Sequence, residues 1–224
     1  MSKLIKRAII SVSDKTNLKS ILNILKKNKV EIISSGGTYS YIKKNGYKCT
    51  EISDYTAFKE MLDGRVKTLH PKIHAGILFK RQKSKHRSQM KSNKFEQIDL
   101  VIVNFYPFKE TLKRTENEEK IVEYIDIGGP SLVRAAAKNF NDVTVITDKN
   151  DYSVLEKELE KHGGRTSSKF RKKMASKAFG TTAYYDAVVA EWFNQKLNIK
   201  FPKLKTFFGE KMNELRYGEN PHQN

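Results

Sequence analysis

In the run Gly64-Arg65-Val66-Lys67-Thr68-Leu69-His70-Pro71, two cations and a hydroxyl stand on a stretch that Gly64 and Pro71 punctuate as a loop. A guanidinium offers oxygens a planar fork, whereas a Lys ammonium is a compact, mobile donor, so the pair suits a substrate with localised negative charge. Alone the segment is weak, because the chain of 224 residues holds 43 Lys and Arg and any two can form a solvated face. Its value depends on what accompanies it.

Two further segments have the composition of phosphate-holding turns. In Ser11-Val12-Ser13-Asp14-Lys15-Thr16, hydroxyls and a Lys sit where a helix begins, so free N–H groups, the helix dipole and Lys15 can face one anion. Ser35-Gly36-Gly37-Thr38 adds a turn whose glycines admit a close backbone approach. Either is equally readable as ordinary capping. Neither is a Walker loop or a dinucleotide fingerprint, which leaves one phosphate monoester as the fitting ligand. Downstream lie Asn104-Phe105-Tyr106-Pro107, Asp126-Ile127-Gly128-Gly129-Pro130 and Arg134-Ala135-Ala136-Ala137-Lys138-Asn139. Taken singly, Asp126 also reads as a cap, Lys138 as a surface cation and Tyr106 as packing. His70 and His74 are four apart, but Pro71 between them argues against a continuous helix bearing both, and no metal is expected.

The elements that must position these residues alternate. Arg7 to Val12 reads as a strand, followed by Ser13-Asp14-Lys15-Thr16 and then Leu18, Ile21, Leu22 and Leu25 at helical spacing. Val30 to Ser34 repeats the strand, Ser35 to Thr38 is a turn, and Tyr39 to Lys44 is a short helix. Leu100 to Val103 and Val143 to Ile146 are apolar runs of the kind buried on both faces. The expected class is α/β: an open, mostly parallel sheet with helices on both faces and ligands at the carboxyl ends of the strands. From Tyr152 onward the pattern turns helical, and Ala178, Thr182, Tyr185, Val189 and Trp192 share one helical face.

Composition excludes other classes. The length fits one good core plus an extension. The single Cys49 rules out an internal disulfide framework and fits a reducing compartment; its strand-like setting reads as a small buried hydrophobe. No run of 18 apolar residues occurs, and the N-terminus lacks a signal-peptide pattern, so a cytoplasmic protein without a membrane partner is expected. The net charge of +18 is dispersed. Its densest block, Lys80 to Lys94, has seven Lys and Arg but no aromatic platform, so it reads as a solvated, mobile surface segment and no specific nucleic acid is expected.

Together, the R-V-K-T, N-F-Y-P, D-I-G-G-P and R-A-A-A-K-N segments resemble the IMP cyclohydrolase part of the bifunctional AICAR transformylase/IMP cyclohydrolase family. The resemblance covers about residues 7–150 and continues in Leu215-Arg216-Tyr217-Gly218-Glu219-Asn220-Pro221-His222-Gln223, which is similar to the opening of the transformylase part. It implies a methylglyoxal-synthase-like domain over 1–150, a helical extension over 151–200 and a truncated transformylase start over 201–224. The implied reaction closes the ring of 5-formamidoimidazole-4-carboxamide ribotide, giving inosine monophosphate without cofactor or metal. The family's 10-formyltetrahydrofolate belongs only to the missing transformylase part, and the implied full-length parent is a homodimer.

By the same resemblance, Lys67, Tyr106, Asp126 and Lys138 are catalytic. Ser11, Ser13, Lys15, Ser35, Gly36, Gly37 and Thr38 hold the phosphate, while Arg65, Thr68, Asn104, Gly128 and Gly129 surround the base. Arg216 and Tyr217 match substrate contacts of the transformylase part. Asp126 would take the amide proton, with Lys138 near enough to keep it ionised and to relay a proton. Lys67 and Tyr106 would stabilise the departing oxygen. Two rivals are methylglyoxal synthase, which the R-V-K-T and D-I-G-G segments fit poorly, and a regulatory phosphate-ligand domain like that ending large carbamoyl-phosphate synthetase subunits. A regulatory domain would not need Lys67, Tyr106, Asp126 and Lys138 together.

Overall fold

Arg7-Ala8-Ile9-Ile10-Ser11-Val12 forms the central strand of a five-stranded parallel sheet, with Ala8, Ile9 and Ile10 fully buried. The computed structural model describes residues 2–211. In chain order the elements are β1 (Lys3–Leu4), β2 (Arg7–Val12), α1 (Leu18–Lys27), β3 (Glu31–Ser34), α2 (Gly36–Lys44), β4 (Thr50–Glu51) and α3 (Ile52–Thr56). Then follow α4 (Pro71–Leu78), α5 (Ser84–Ser92), β5 (Leu100–Asn104), α6 (Phe108–Leu112), α7 (Glu118–Glu123) and α8 (Gly128–Lys138). The chain continues through β6 (Thr144–Ile146), a 3-10 turn (Lys149–Asp151), α9 (Tyr152–Lys161), β7 (Arg165–Thr166) and α10 (Ser168–Lys196).

The sheet order is β4-β3-β2-β5-β6, all parallel. The chain steps from β2 to one neighbour, β3, and later returns to the other side with β5. The order therefore reverses at β2, and a crevice opens at the carboxyl ends of β2, β3 and β5. The expected α/β sheet is thus present, with β2, β3, β5 and β6 where the apolar runs placed them. Leu18, Ile21, Leu22 and Leu25 turn one face of α1 into the core, and Lys26 and Lys27 complement the dipole at its end.

Three differences matter. α2 begins at Gly36 and not at Tyr39, so the glycine turn is the first turn of a helix. The Lys80–Lys94 block, expected as a solvated surface segment, is largely exposed but regular: it carries α5, whose Met90 is buried. Strands β1 and β7 pair antiparallel, and at two residues each they are too short to show a period in the sequence.

One compact unit runs to Thr182, past the division expected at residue 150. Within it α9 packs on α1. Buried Arg171, in the first turns of α10, donates to the carbonyls of Phe140 (2.8 Å), Asn141 (3.1 Å) and Thr166 (2.5 Å), so these three polar groups are satisfied inside. The second unit starts at Ala183. There Tyr185 and Trp192 are buried as their spacing implies, Tyr184 donates to Glu210 (2.5 Å), and Phe201, Leu204 and Phe207 are almost fully exposed. Arg216 and Tyr217 lie outside the described residues.

Candidate functional site

Lys15 and Lys67 reach one place from different segments. Measured to where a side chain would begin, Lys15 Nζ lies 3.9 Å from Gly37 and Lys67 Nζ 3.7 Å from Gly36. Both glycines are exposed and open α2, at the helix end where backbone N–H groups lack intrahelical partners and the dipole favours an anion. Ser35 caps this helix without a side-chain bond to it.

The two phosphate-type turns are bolted together. Thr38 Oγ1 donates to the Val12 carbonyl (2.9 Å) and accepts from the Val12 N–H (3.1 Å). That buried hydroxyl is consumed by the tie, so Thr38 shapes the cradle instead of reaching into it. Asn104, at the end of β5, does the same from the other side. Its Oδ1 accepts from the N–H groups of Ser13 (2.6 Å) and Asp14 (3.1 Å), and its Nδ2 donates to the Asp14 carbonyl (2.8 Å). Asn104, expected beside the base, thus braces the Ser13–Asp14 turn. Ser11 stands directly before this turn, paired with Val103 in the sheet.

A second group of residues gathers at the start of α8. Asp126 Oδ1 accepts from the Gly129 N–H (2.8 Å), and the carboxylate also accepts from the Tyr106 N–H. Burial pushes the Asp126 carboxyl above its ordinary range, and the two N–H groups only partly oppose that. The Tyr106 ring is exposed and lies edge-on to Tyr124, with centroids 6.2 Å apart. Thr68 is buried against Gly128, close enough that a β-carbon there would meet its Oγ1 at 2.5 Å. Adjacent Lys67 and Thr68 thus link the phosphate-type cradle to the Asp126–Tyr106 corner.

These two residues leave a tight hairpin in which Met61 and Val66 pair (3.0 and 3.2 Å). Leu62, Asp63 and Gly64 at its tip all have positive φ. Arg65 forms an exposed ion pair with Glu123 of α7, and Lys67 pairs with Glu60 at 3.2 Å.

Lys138, expected beside Asp126, stands at the far end of α8. It ends α8 while Asp126 precedes that helix, and 11 helical residues span about 16 Å. Lys138 is therefore not placed to keep Asp126 ionised within this chain; the N–H groups of Gly129 and Tyr106 favour the ionised form but do not offset burial. Lys138 lines a shallow groove of about 710 Å³ with His70, His74, Leu78, Arg134 and Phe179. Twelve residues turn a helix about 120° beyond three full turns, so neither the face nor the position along the axis brings the two together.

Residues not anticipated also border the cradle. The Glu51 carboxylate, at the end of β4, accepts from the N–H groups of Gly36 and Ile52. Burial pushes its carboxyl upward, against those bonds and the nearby Lys67. The two-residue β4 hid it. Asp14 pairs with Lys149 (2.6 Å) beyond β6 and accepts from Thr16; these bonds hold its carboxyl well below the usual range. Burial pushes the half-buried Cys49 thiol up to about 12, as expected for an inert packing residue. Among the described residues no group of three or more His, Cys, Asp and Glu could hold a metal ion, and no helix is long and apolar enough to cross a membrane.

Residues 17–131 match the MGS-like domain, and residues 136–224 match the AICARFT/IMPCHase bienzyme. The Bifunctional purine biosynthesis protein PurH of Bradyrhizobium diazoefficiens is 46% identical over 217 residues, covering 97% of this chain and 41% of that protein. Its counterpart in Clostridium beijerinckii is 48% identical, with 97% of this chain and 43% of that protein covered. The chain thus spans about two fifths of the length of these curated relatives. Among solved structures, ForH superposes with a TM-score of 0.77 at 32% identity, covering 84% of this chain and 97% of that one. The chain belongs to the MGS-like domain family, in the form that continues into the AICARFT/IMPCHase bienzyme.

Proposed function

We propose that this chain is an IMP cyclohydrolase, closing the ring of 5-formamidoimidazole-4-carboxamide ribotide to inosine monophosphate in purine biosynthesis. The observation that carries the reading is the convergence of Lys15 and Lys67 on Gly36 and Gly37, with Lys67 followed directly by Thr68 at the Asp126–Tyr106 corner. The cradle suits a 5′-phosphate and the corner suits the reacting carboxamide and formyl groups.

The carboxamide nitrogen attacks the formyl carbon, forming the new C–N bond as the formyl oxygen gains charge. A bare amide is a poor nucleophile, so a base must remove its proton. Burial makes Asp126 a stronger base than a solvated carboxylate, and the N–H groups of Gly129 and Tyr106 fix where its lone pairs point. Lys67 and the Tyr106 hydroxyl then protonate and release that oxygen as water, and the formamide nitrogen gives up its proton to leave the C=N bond. No electrons enter or leave, so the step needs no redox partner and no folate. Lys138 has no step within one chain.

The test is purified chain, formylated ribotide and no folate, with inosine monophosphate followed by absorbance. Turnover that survives EDTA is expected. Folded protein that binds nucleotide monophosphates but gives no product at any substrate concentration would overturn the reading in favour of a regulatory ligand domain.

A further inference from the structure

We propose that Glu60 is a positioning residue for Lys67: its carboxylate, admitted by the missing side chain of Gly64, holds the ammonium at the opening of α2. The inference rests on the cyclohydrolase reading for what Lys67 does, but the geometry stands by itself. Glu60 and Lys67 flank the Met61–Val66 pair, so the hairpin brings them face to face across its neck. Glu60 Oε2 lies 3.2 Å from Lys67 Nζ. Between them sits Gly64, with φ +86, where a β-carbon would fall 3.0 Å from Lys67 Nζ and 3.5 Å from Glu60 Oε2. Any other residue at 64 would crowd the ammonium and strain the turn.

A lysine on an exposed hairpin has four rotatable bonds, and without a partner its ammonium samples many positions. Here three things restrict it. The Glu60 carboxylate takes it from one side, the start of α2 lies on another, and Glu51 acts on it from beyond Gly36. Glu51 is committed to the backbone N–H groups of Gly36 and Ile52, which leaves Glu60 as the direct partner. Lys67 is three-quarters buried at its side chain and Glu60 mostly exposed, so the pair itself adds little stability. Its effect is geometric.

The experiment is Glu60→Gln in the full chain, alone and combined with Lys67→Ala. Misplacing a reacting group by an ångström lowers turnover roughly 10- to 100-fold, so kcat should fall on that scale while KM changes little. In the Lys67→Ala background the same substitution should do nothing further, because the group it positions is gone. Unchanged kcat in Glu60→Gln, or an equal loss in both backgrounds, overturns the proposal. A second arm needs no turnover. Acetic anhydride labelling of Lys67, relative to exposed Lys85, should rise in Glu60→Gln by up to about fivefold, the scale of a lost partly exposed ion pair. If the unmodified chain fails to cyclise, the functional reading falls and labelling alone decides the clasp; labelling that does not rise overturns it.

Discussion

The N–H of Gly129 donates to Asp126 Oδ1 at 2.8 Å, and a β-carbon on Gly129 would fall 2.5 Å from Asp126 Oδ2. The carboxylate therefore occupies the space that a side chain at 129 would need. Gly129→Ala is expected to push Asp126 out of its seat while leaving α8 helical, lowering kcat roughly 100-fold with little change in nucleotide affinity. Steady-state kinetics beside inosine monophosphate binding by calorimetry check this. Full turnover in Gly129→Ala would remove Asp126 from the base role.

Lys67→Ala and Asp126→Ala should each lower kcat by about 100-fold or more, the scale of a lost charge-stabilising or acid–base group. Lys15→Ala should instead weaken nucleotide monophosphate binding. Lys67→Ala with undiminished kcat and a raised KM would show that Lys67 binds the ground state and no more.

Much of this was legible in the sequence because the signals were local. Apolar runs at Arg7–Val12 and Leu100–Val103, with helical spacing between, fix a parallel sheet, and the turns after its strands fix where a ligand belongs. What failed depended on distance through space. Asp126 and Lys138 were read as neighbours because they bracket one helix, yet that helix separates them. The brace that Asn104 supplies spans 90 residues of sequence, and no spacing rule reports such a contact. Glu51 and Glu60 were missed because β4 and the Met61–Val66 pair are too short to show periodicity.

Asn104→Ala removes three hydrogen bonds from the Ser13–Asp14 turn and nothing from the Asp126 corner. The turn would keep the Thr38 tie at Val12 and the Asp14–Lys149 pair but lose its brace to β5, so binding of phosphate-bearing ligands should weaken by roughly 10-fold, at the scale of one or two net hydrogen bonds. The ratio of kcat values should change less than the ratio of KM values. A kcat loss matching that of Asp126→Ala would return Asn104 to direct contact with the reacting base.

Burial of Asp126 sets the stability of the fold against the base role proposed for it. Burial raises the Asp126 carboxyl above its unfolded value, so the fold favours the protonated form. That contribution is fully present below the unfolded carboxyl value and is lost as pH rises through the raised one; at neutral pH the wild-type chain has lost it. Asp126→Asn replaces the carboxylate with a neutral group of the same shape, so it should raise the urea midpoint at pH 7 while abolishing most turnover. At pH 3, where both chains are neutral at this position, the difference should shrink towards zero. Asp142 works in the opposite sense. Burial would raise its carboxyl, but Lys3 at 2.7 Å, together with Arg81, holds it below the usual range. Its stabilisation is present above the unfolded value and is lost as pH falls through the lowered one, so Lys3→Met should flatten the acid side of the stability profile and leave the Asp126→Asn gain intact. An Asp126→Asn chain that is less stable than wild type at pH 7, or equally shifted at pH 3 and pH 7, would mean that its two N–H bonds outweigh burial and that Asp126 sits ionised at no expense to the fold.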